Sequence, residues 1–151
     1  MSEETEQAHI LIVDDNKANA QLLQAYLQDF PWTIDLAYSG AEALEKVARA
    51  QPDIILLDIM MPDTSGFEVC RRLKSDPETR DVPIIMVTAL TQVEDVEKAV
   101  EAGTDDFLSK PVNRIELVTR VKSLLRLRQL KGELARTLAY LDELQKQAPG
   151  S

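Results

Sequence analysis

The strongest constraint on the fold is a regular alternation between short apolar runs and longer stretches in which apolar residues recur at helical spacing. The first run, Ile10-Leu11-Ile12-Val13, is continuously apolar, as in a strand that is buried on both faces. We predict strands at residues 10–13, 33–38, 53–57, 83–87 and 106–108. We predict helices at residues 18–28, 41–50, 66–74 and 93–102, and a long helix from near Asn113.

Five strands that alternate with five helices predict an α/β fold, in which a parallel sheet is covered by helices on both faces. Right-handed crossovers leave few ways to wind such a sheet, and we expect the doubly wound, flavodoxin-like strand order 2-1-3-4-5. This order creates a crevice at the carboxyl ends of strands one and three, where the strand order reverses. Because a fold does not define a function, the residues that end these strands carry the functional argument.

Carboxylates follow both strands that border the predicted crevice. Asp14 and Asp15 follow strand one, and Asp58 follows strand three. Taken alone, the Asp14-Asp15 pair is more typical of a turn with a helix N-cap than of a site, but Asp58 at the end of the neighbouring strand favours a site. Like charges held this close repel each other and need a compensating cation. Oxygen ligands suit a hard divalent ion such as Mg²⁺.

Two further polar residues follow the remaining central strands. Thr88 ends strand four, and Lys110 follows strand five in Ser109-Lys110-Pro111. Each is ordinary by itself, as a strand-end threonine or a loop lysine. An acid pair, a single acid, a hydroxyl and an ammonium group in strand order are specific as a set, and they predict a crevice that holds both a divalent cation and an anion.

This set resembles the signature of bacterial two-component response regulator receiver domains, the CheY-like family. The resemblance covers roughly residues 9–126 and rests on four stretches: 12–16 (Ile-Val-Asp-Asp-Asn), 57–66 (Leu-Asp-Ile-Met-Met-Pro-Asp-Thr-Ser-Gly), 87–89 (Val-Thr-Ala) and 109–111 (Ser-Lys-Pro). It implies that Mg²⁺ is the cofactor. It further implies that the metal is held by Asp14, Asp15, Asp58 and the backbone carbonyl of Ile59.

The resemblance also implies a phosphorelay function. Asp58 would accept a phosphoryl group from a sensor histidine kinase or a histidine phosphotransfer protein, Lys110 would pair with that group, and Thr88 would hydrogen-bond it. His9, the only histidine, lies at the far end of strand one, so the donor histidine is expected on another protein. In the family the Lys-Pro bond is commonly cis, and we expect the same at Lys110-Pro111.

Thr88 and Phe107 match the positions that move in the family when the acceptor is phosphorylated. Tyrosine is more usual than phenylalanine at the second position, and Phe107 is equally well explained as a core aromatic residue. Met60 and Leu90 match positions that tune the phosphoryl lifetime in the family.

Two other functions are compatible with parts of this pattern. An aspartate-nucleophile phosphatase of the haloacid-dehalogenase type normally carries a second aspartate two residues after the nucleophile, but Met60 stands there. A scaffold that has lost phosphorylation would have no need of Asp15, Asp58, Thr88 and Lys110. We therefore expect a phosphoacceptor signalling domain that is not an enzyme beyond self-catalysed phosphorylation and dephosphorylation.

The last predicted helix is longer than the sheet needs. Beyond residue 126 its apolar positions alternate in steps of three and four, the period of a coiled coil. These positions are Leu127, Leu130, Leu134, Thr137, Leu141, Leu144 and Ala148. We expect a polar tail at 1–8, the receiver at 9–126 and a helical extension at 127–151 that forms a parallel homodimer. A solvated linker to a further domain is the alternative, and the two are compatible.

Composition excludes several classes of partner. The chain has 26 acidic and 17 basic residues, a formal net charge of −9, which argues against nucleic acid or an anionic membrane surface as a ligand. Its apolar runs are far shorter than the roughly 18 residues of a membrane span. With Cys70 as the single cysteine and a polar start that has no signal-peptide pattern, we expect a cytoplasmic protein.

Overall fold

A computed structural model describes residues 7–89 and 92–147 of the chain. The strands are β1 (His9–Val13), β2 (Thr33–Ala37), β3 (Ile54–Leu57), β4 (Ile84–Thr88) and β5 (Asp106–Ser109). The helices are α1 (Lys17–Leu27), α2 (Gly40–Arg49), α3 (Gly66–Ser75), α4 (Val93–Ala102) and α5 (Arg114–Gln147). Most of the predicted tail at 1–8, together with Leu90, Ala148 and the end of the predicted extension, lies outside the described residues.

All pairings in the sheet are parallel, and the strand order is β2-β1-β3-β4-β5. The predicted flavodoxin-like order is therefore confirmed. Val13 of β1 is in register with Leu57 of β3, so the residues that follow these two strands emerge side by side. This is the place where the strand order reverses and where α/β sheets form their binding crevice.

The sheet separates two hydrophobic layers, because successive side chains of a strand point to opposite faces. Leu11 and Val13 pack with α2, α3 and α4, whereas Ile10 and Ile12 pack with α1 and α5. Ile54–Leu57 of β3 and Ile84–Thr88 of β4 are buried along their whole length. This double burial explains why the central strands are continuously apolar in sequence.

Three helices begin directly after the loops of the crevice, and each has a side-chain cap. Asn16, Ser39 and Ser65 accept hydrogen bonds from the backbone N–H three residues later, at 3.1, 3.0 and 3.3 Å. Caps of this kind satisfy N–H groups that have no partner within the helix. They fix the points at which the chain turns away from the site.

The long helix α5 changes character along its length. Asn113 caps it by accepting a hydrogen bond from the N–H of Glu116 at 3.0 Å. Leu117, Val121 and Leu125 are buried against the sheet. Further along, six leucines have exposed fractions between 45 and 59%: Leu127, Leu130, Leu134, Leu138, Leu141 and Leu144. The seam and the domain boundaries at 8 and 126 stay predictions.

No helix in the described ranges is both long enough and apolar enough to cross a membrane.

Candidate functional site

The three predicted acids meet at the carboxyl edge of the sheet. One carboxylate oxygen from each of Asp14, Asp15 and Asp58 lies within 4.8 Å of the others. Asp14 and Asp58 are 2 and 6% exposed, whereas Asp15 is exposed to solvent. Backbone hydrogen bonds fix both loops, from Asp14 N to the Ala37 carbonyl (3.0 Å) and from Asp58 N to the Val13 carbonyl (2.9 Å).

Burial changes the acidity of Asp58. The pKa of this carboxyl is raised to about 6, chiefly by desolvation; the positive charge of Lys110 opposes this shift, and the negative charge of Asp14 adds to it. Burial therefore disfavours the charged form that a nucleophilic carboxylate needs, and nearby positive charge offsets this effect in part. The group thus has the property expected of a functional carboxylate in a crevice.

Lys110 supplies positive charge at this edge. Its Nζ lies 3.1 Å from Oδ2 of Asp14 and 3.7 Å from Oδ1 of Asp58. Its backbone N–H donates to the Thr88 carbonyl at 2.8 Å, which ties the loop after β5 to the end of β4. The Lys110-Pro111 peptide bond is cis, as the resemblance implied.

Thr88 and Phe107, the two predicted switch residues, lie on β4 and β5. Thr88 is the last residue of β4 and is fully buried. Phe107 is half-buried and packs against the hydrophobic layer formed with α2, α3 and α4. Both the switch role and the core role of Phe107 are compatible with this placement, so the switch stays a prediction.

The loop after Asp58 brings its two ends together. The Ile59 carbonyl accepts a hydrogen bond from Gly66 N at 2.8 Å, so only its second lone pair could serve a metal ion. Its assignment as a metal ligand stays a prediction. The N–H of Met60 donates to the Asp58 carboxylate. A Cβ at Gly66 would lie 2.3 Å from the Asp58 carbonyl oxygen, which no side chain tolerates.

Sequence reasoning missed the requirement for Gly66 and the contacts of Asp63. Gly66 is the last residue of the stretch 57–66, which carries the resemblance to receiver domains. Its position before a helix that starts close to a strand end was the signal that could have indicated the requirement for glycine. Asp63 accepts hydrogen bonds from residues at the start of α2, more than 20 positions earlier in the chain. No local pattern indicates such a contact, because it depends on the path of the loop.

The donor set fits a hard divalent cation. Three carboxylates offer only oxygen ligands, and their convergence leaves excess negative charge that Lys110 offsets in part. Asp15 is open to solvent, and Mg²⁺ commonly keeps several of its waters. Asp14, Asp15 and Asp58 are thus suited to hold Mg²⁺.

Comparisons with known proteins agree with this geometry. Residues 10–122 match the family model described as the response regulator receiver domain. The response regulator PleD of Caulobacter vibrioides is 46% identical over 127 residues, which are 84% of this chain and 28% of PleD. The transcriptional regulatory protein ResD of Bacillus subtilis is 44% identical over 124 residues, 82% of this chain and 50% of ResD.

Solved structures give the same result. The signal receiver domain of a signal transduction histidine kinase from Syntrophus aciditrophicus superimposes with a TM-score of 0.75 at 35% identity, covering 79% of this chain and 90% of that one. The chain spans half or less of the length of PleD and ResD, so it corresponds to one part of those proteins. The chain belongs to the response regulator receiver domain family of two-component signalling.

Proposed function

We propose that this receiver accepts a phosphoryl group on Asp58. In the proposed step a carboxylate oxygen of Asp58 attacks the phosphorus of a phosphohistidine. The new P–O bond forms as the P–N bond breaks, and the leaving imidazole takes up a proton. The observation that carries the proposal is the buried carboxylate of Asp58, with two further carboxylates within 4.8 Å and the Lys110 ammonium 3.7 Å away.

The surrounding side chains stabilise charge on the transferred group. Lys110 is shared between Asp14 and Asp58, and it would turn toward the phosphoryl oxygens, which add about −1.5 to −2 charges. Thr88, at the end of the adjacent strand, would donate its hydroxyl to the same group. Mg²⁺, when held by Asp14, Asp15 and Asp58, would supply further positive charge to the phosphoryl oxygens.

The same residues connect the acceptor to the rest of the fold. Thr88 accepts the backbone N–H of Lys110, and it is in register with Ser109 of β5. A movement of Thr88 toward a phosphoryl group would therefore pull on β5, where Phe107 is half-buried. We propose that Thr88 and Phe107 report phosphorylation in this way.

The donor protein would dock beside Lys110. A groove of about 420 Å³ lies between α1 and the loop after β5, and apolar atoms of Leu22, Tyr26 and Val112 line it next to Lys110. Its position would let a sensor histidine kinase or a histidine phosphotransfer protein present a phosphohistidine to the acceptor. We propose that the two proteins meet in the cytoplasm.

We further propose that the protein is a homodimer through the extension of α5. The leucines of the predicted seam past the receiver body keep about half of their surface exposed: Leu127, Leu130, Leu134, Leu141 and Leu144. A second copy of the same helix offers a matching apolar seam at coiled-coil period. Thr137 interrupts that seam, so we expect a modest affinity.

Phosphorylation with a small donor tests the acceptor. Incubation with acetyl phosphate and Mg²⁺ should add one phosphoryl group that hydroxylamine removes, as it removes acyl phosphates. Asp58→Asn should abolish the labelling, because an amide is not a competent nucleophile. Asp81→Asn, which removes one exposed carboxylate at the opposite edge of the sheet, is the matched control and should be labelled like the parent.

Each alternative predicts a different result. Undiminished labelling of Asp58→Asn would remove Asp58 from the acceptor role. Steady hydrolysis of small phosphate esters by the parent would favour the phosphatase, and a parent that takes up no phosphoryl group would favour the scaffold.

A further inference from the structure

The start of α2 is capped by a side chain from a distant loop. The backbone N–H groups of Gly40 and Ala41 donate to the two carboxylate oxygens of Asp63, at 3.1 and 3.0 Å. Ser39 accepts a hydrogen bond from the next N–H, that of Glu42. The N–H groups in the first turn of α2 are therefore capped partly by Ser39, which directly precedes the helix, and partly by Asp63. The bond from Ala41 is the main cause that lowers the pKa of Asp63, so the carboxylate is charged at neutral pH.

Asp63 lies in the loop that follows the acceptor. This loop, residues 59–65, which we call the acceptor loop, is closed at its base by the bond from Gly66 N to the Ile59 carbonyl. At that base Gly66 lies so close to the backbone of Asp58 that no side chain fits between them. Residues 60–64, which include Met60, lie between these two ends, and the bonds of Asp63 attach them to the start of α2.

The fit between the acceptor loop and α2 is tight at a second point. A Cβ on Gly40 would lie 2.9 Å from Cβ of Thr64, closer than real side chains approach. The acceptor loop is therefore held against α2 by contact as well as by hydrogen bonds. Met60, which donates its N–H to the Asp58 carboxylate, belongs to the same seven-residue loop.

We propose that Asp63 is a positioning residue for the acceptor site. By holding the acceptor loop on α2, it keeps the Met60 N–H directed at Asp58 and the backbone of the loop at a fixed distance from the acid cluster. Asp63 does not touch the transferred group. The inference rests on the proposed acceptor role of Asp58.

The test compares Asp63→Ala with a control that removes an equivalent interaction elsewhere. Asp76 is also exposed and also accepts a backbone hydrogen bond, from Glu78 N at 2.9 Å, but it lies at the end of α3 that is remote from the site. Asp63→Ala and Asp76→Ala change the net charge equally. Asp63→Asn, which keeps one good acceptor oxygen, should fall between Asp63→Ala and the parent.

Two measurements decide the proposal. Amide hydrogen exchange should increase at Gly40 and Ala41 in Asp63→Ala, and also at Met60, whose N–H donates to Asp58 rather than to Asp63. Phosphorylation by acetyl phosphate should slow by about tenfold relative to Asp76→Ala, which is less than the roughly hundredfold that a misplacement of about 1 Å can cost.

Faster exchange at Gly40 and Ala41 alone, with Met60 and the phosphorylation rate unchanged, would reduce Asp63 to a cap of α2 and overturn the proposal. A parent that is not labelled at all would instead refute the acceptor role of Asp58. In that case the exchange of Met60 would still decide whether Asp63 holds the acceptor loop.

Discussion

Two stretches of the same helix, α5, have similar apolar periodicity and opposite surroundings. In the first stretch Leu117, Val121 and Leu125 are at most 5% exposed, because the sheet and α1 cover them. In the second stretch Leu134 and Leu141 are 59 and 51% exposed. Periodicity therefore predicts that a segment is helical and which side is apolar, but not whether the surface that covers it belongs to the same chain.

The largest effect is expected when a charge is placed in each stretch. Val121→Glu puts an unpaired charge at a position with no exposed surface and should destabilise the fold by about 3–5 kcal/mol.

Leu134→Glu combined with Leu141→Glu should leave the receiver folded and phosphorylated by acetyl phosphate, but monomeric. Urea unfolding and sedimentation equilibrium at micromolar concentration measure the two outcomes.

A matched double variant separates the seam from general charge effects. Ala135→Glu with Ala139→Glu adds the same two charges on the exposed helix outside the predicted seam. It should remain as dimeric as the parent. A monomeric parent, or a seam variant that stays dimeric, would exclude the α5 extension as the dimer interface.

Much of the fold was predictable because its signals are local. The fully buried strands β3 and β4 are continuous apolar runs. Asn16, Ser39 and Ser65 are N-cap residues of the kind that commonly precede helices. The strand ends differ from the predictions by a residue or so, as at His9, which joins β1 by pairing with Thr33. Such ends depend on the neighbouring strand rather than on the segment itself.

The site was predictable as a set of residues but not as a set of contacts. Strand order alone brings Asp14, Asp58 and Lys110 to one edge of the sheet. It does not reveal that Lys110 lies nearer to Asp14 than to Asp58, or that Asp63 caps α2. These contacts join residues far apart in sequence, and they depend on loop paths that no periodic pattern encodes.

The second-largest expected effect is a pH dependence of stability that arises from the buried carboxyl of Asp58. In the folded protein the pKa of Asp58 is about 6, whereas an unperturbed aspartate has a pKa of about 3.9. Between these values the folded state binds more protons than the unfolded chain, so stability falls as pH rises through this window. Above it, the charged Asp58 should cost the metal-free protein roughly 2–3 kcal/mol.

Asp58→Asn removes this cost, so without Mg²⁺ the variant should be more stable than the parent near neutral pH and equal to it below about pH 4. Urea unfolding in the presence of a chelator, across this pH range, provides the measurement. Asp81→Asn, at an exposed position, should show no such pH dependence. A parent and Asp58→Asn with parallel stability profiles would mean that burial does not raise the pKa of Asp58.

The smallest effect is expected at Asp15, the one acid of the cluster that is open to solvent. Asp15→Asn removes a charge and a ligand from the proposed metal site, so Mg²⁺ affinity should fall by about tenfold, in the range seen when groups that support a metal site are changed. Relief of repulsion with Asp14 and Asp58 should also stabilise the metal-free fold, but by less than Asp58→Asn does, because water already screens Asp15. Isothermal titration with Mg²⁺ measures the first effect, with Asp81→Asn as the control for a lost surface charge. An unchanged Mg²⁺ affinity in Asp15→Asn would exclude Asp15 from the metal site and leave Asp14 and Asp58 as its carboxylates.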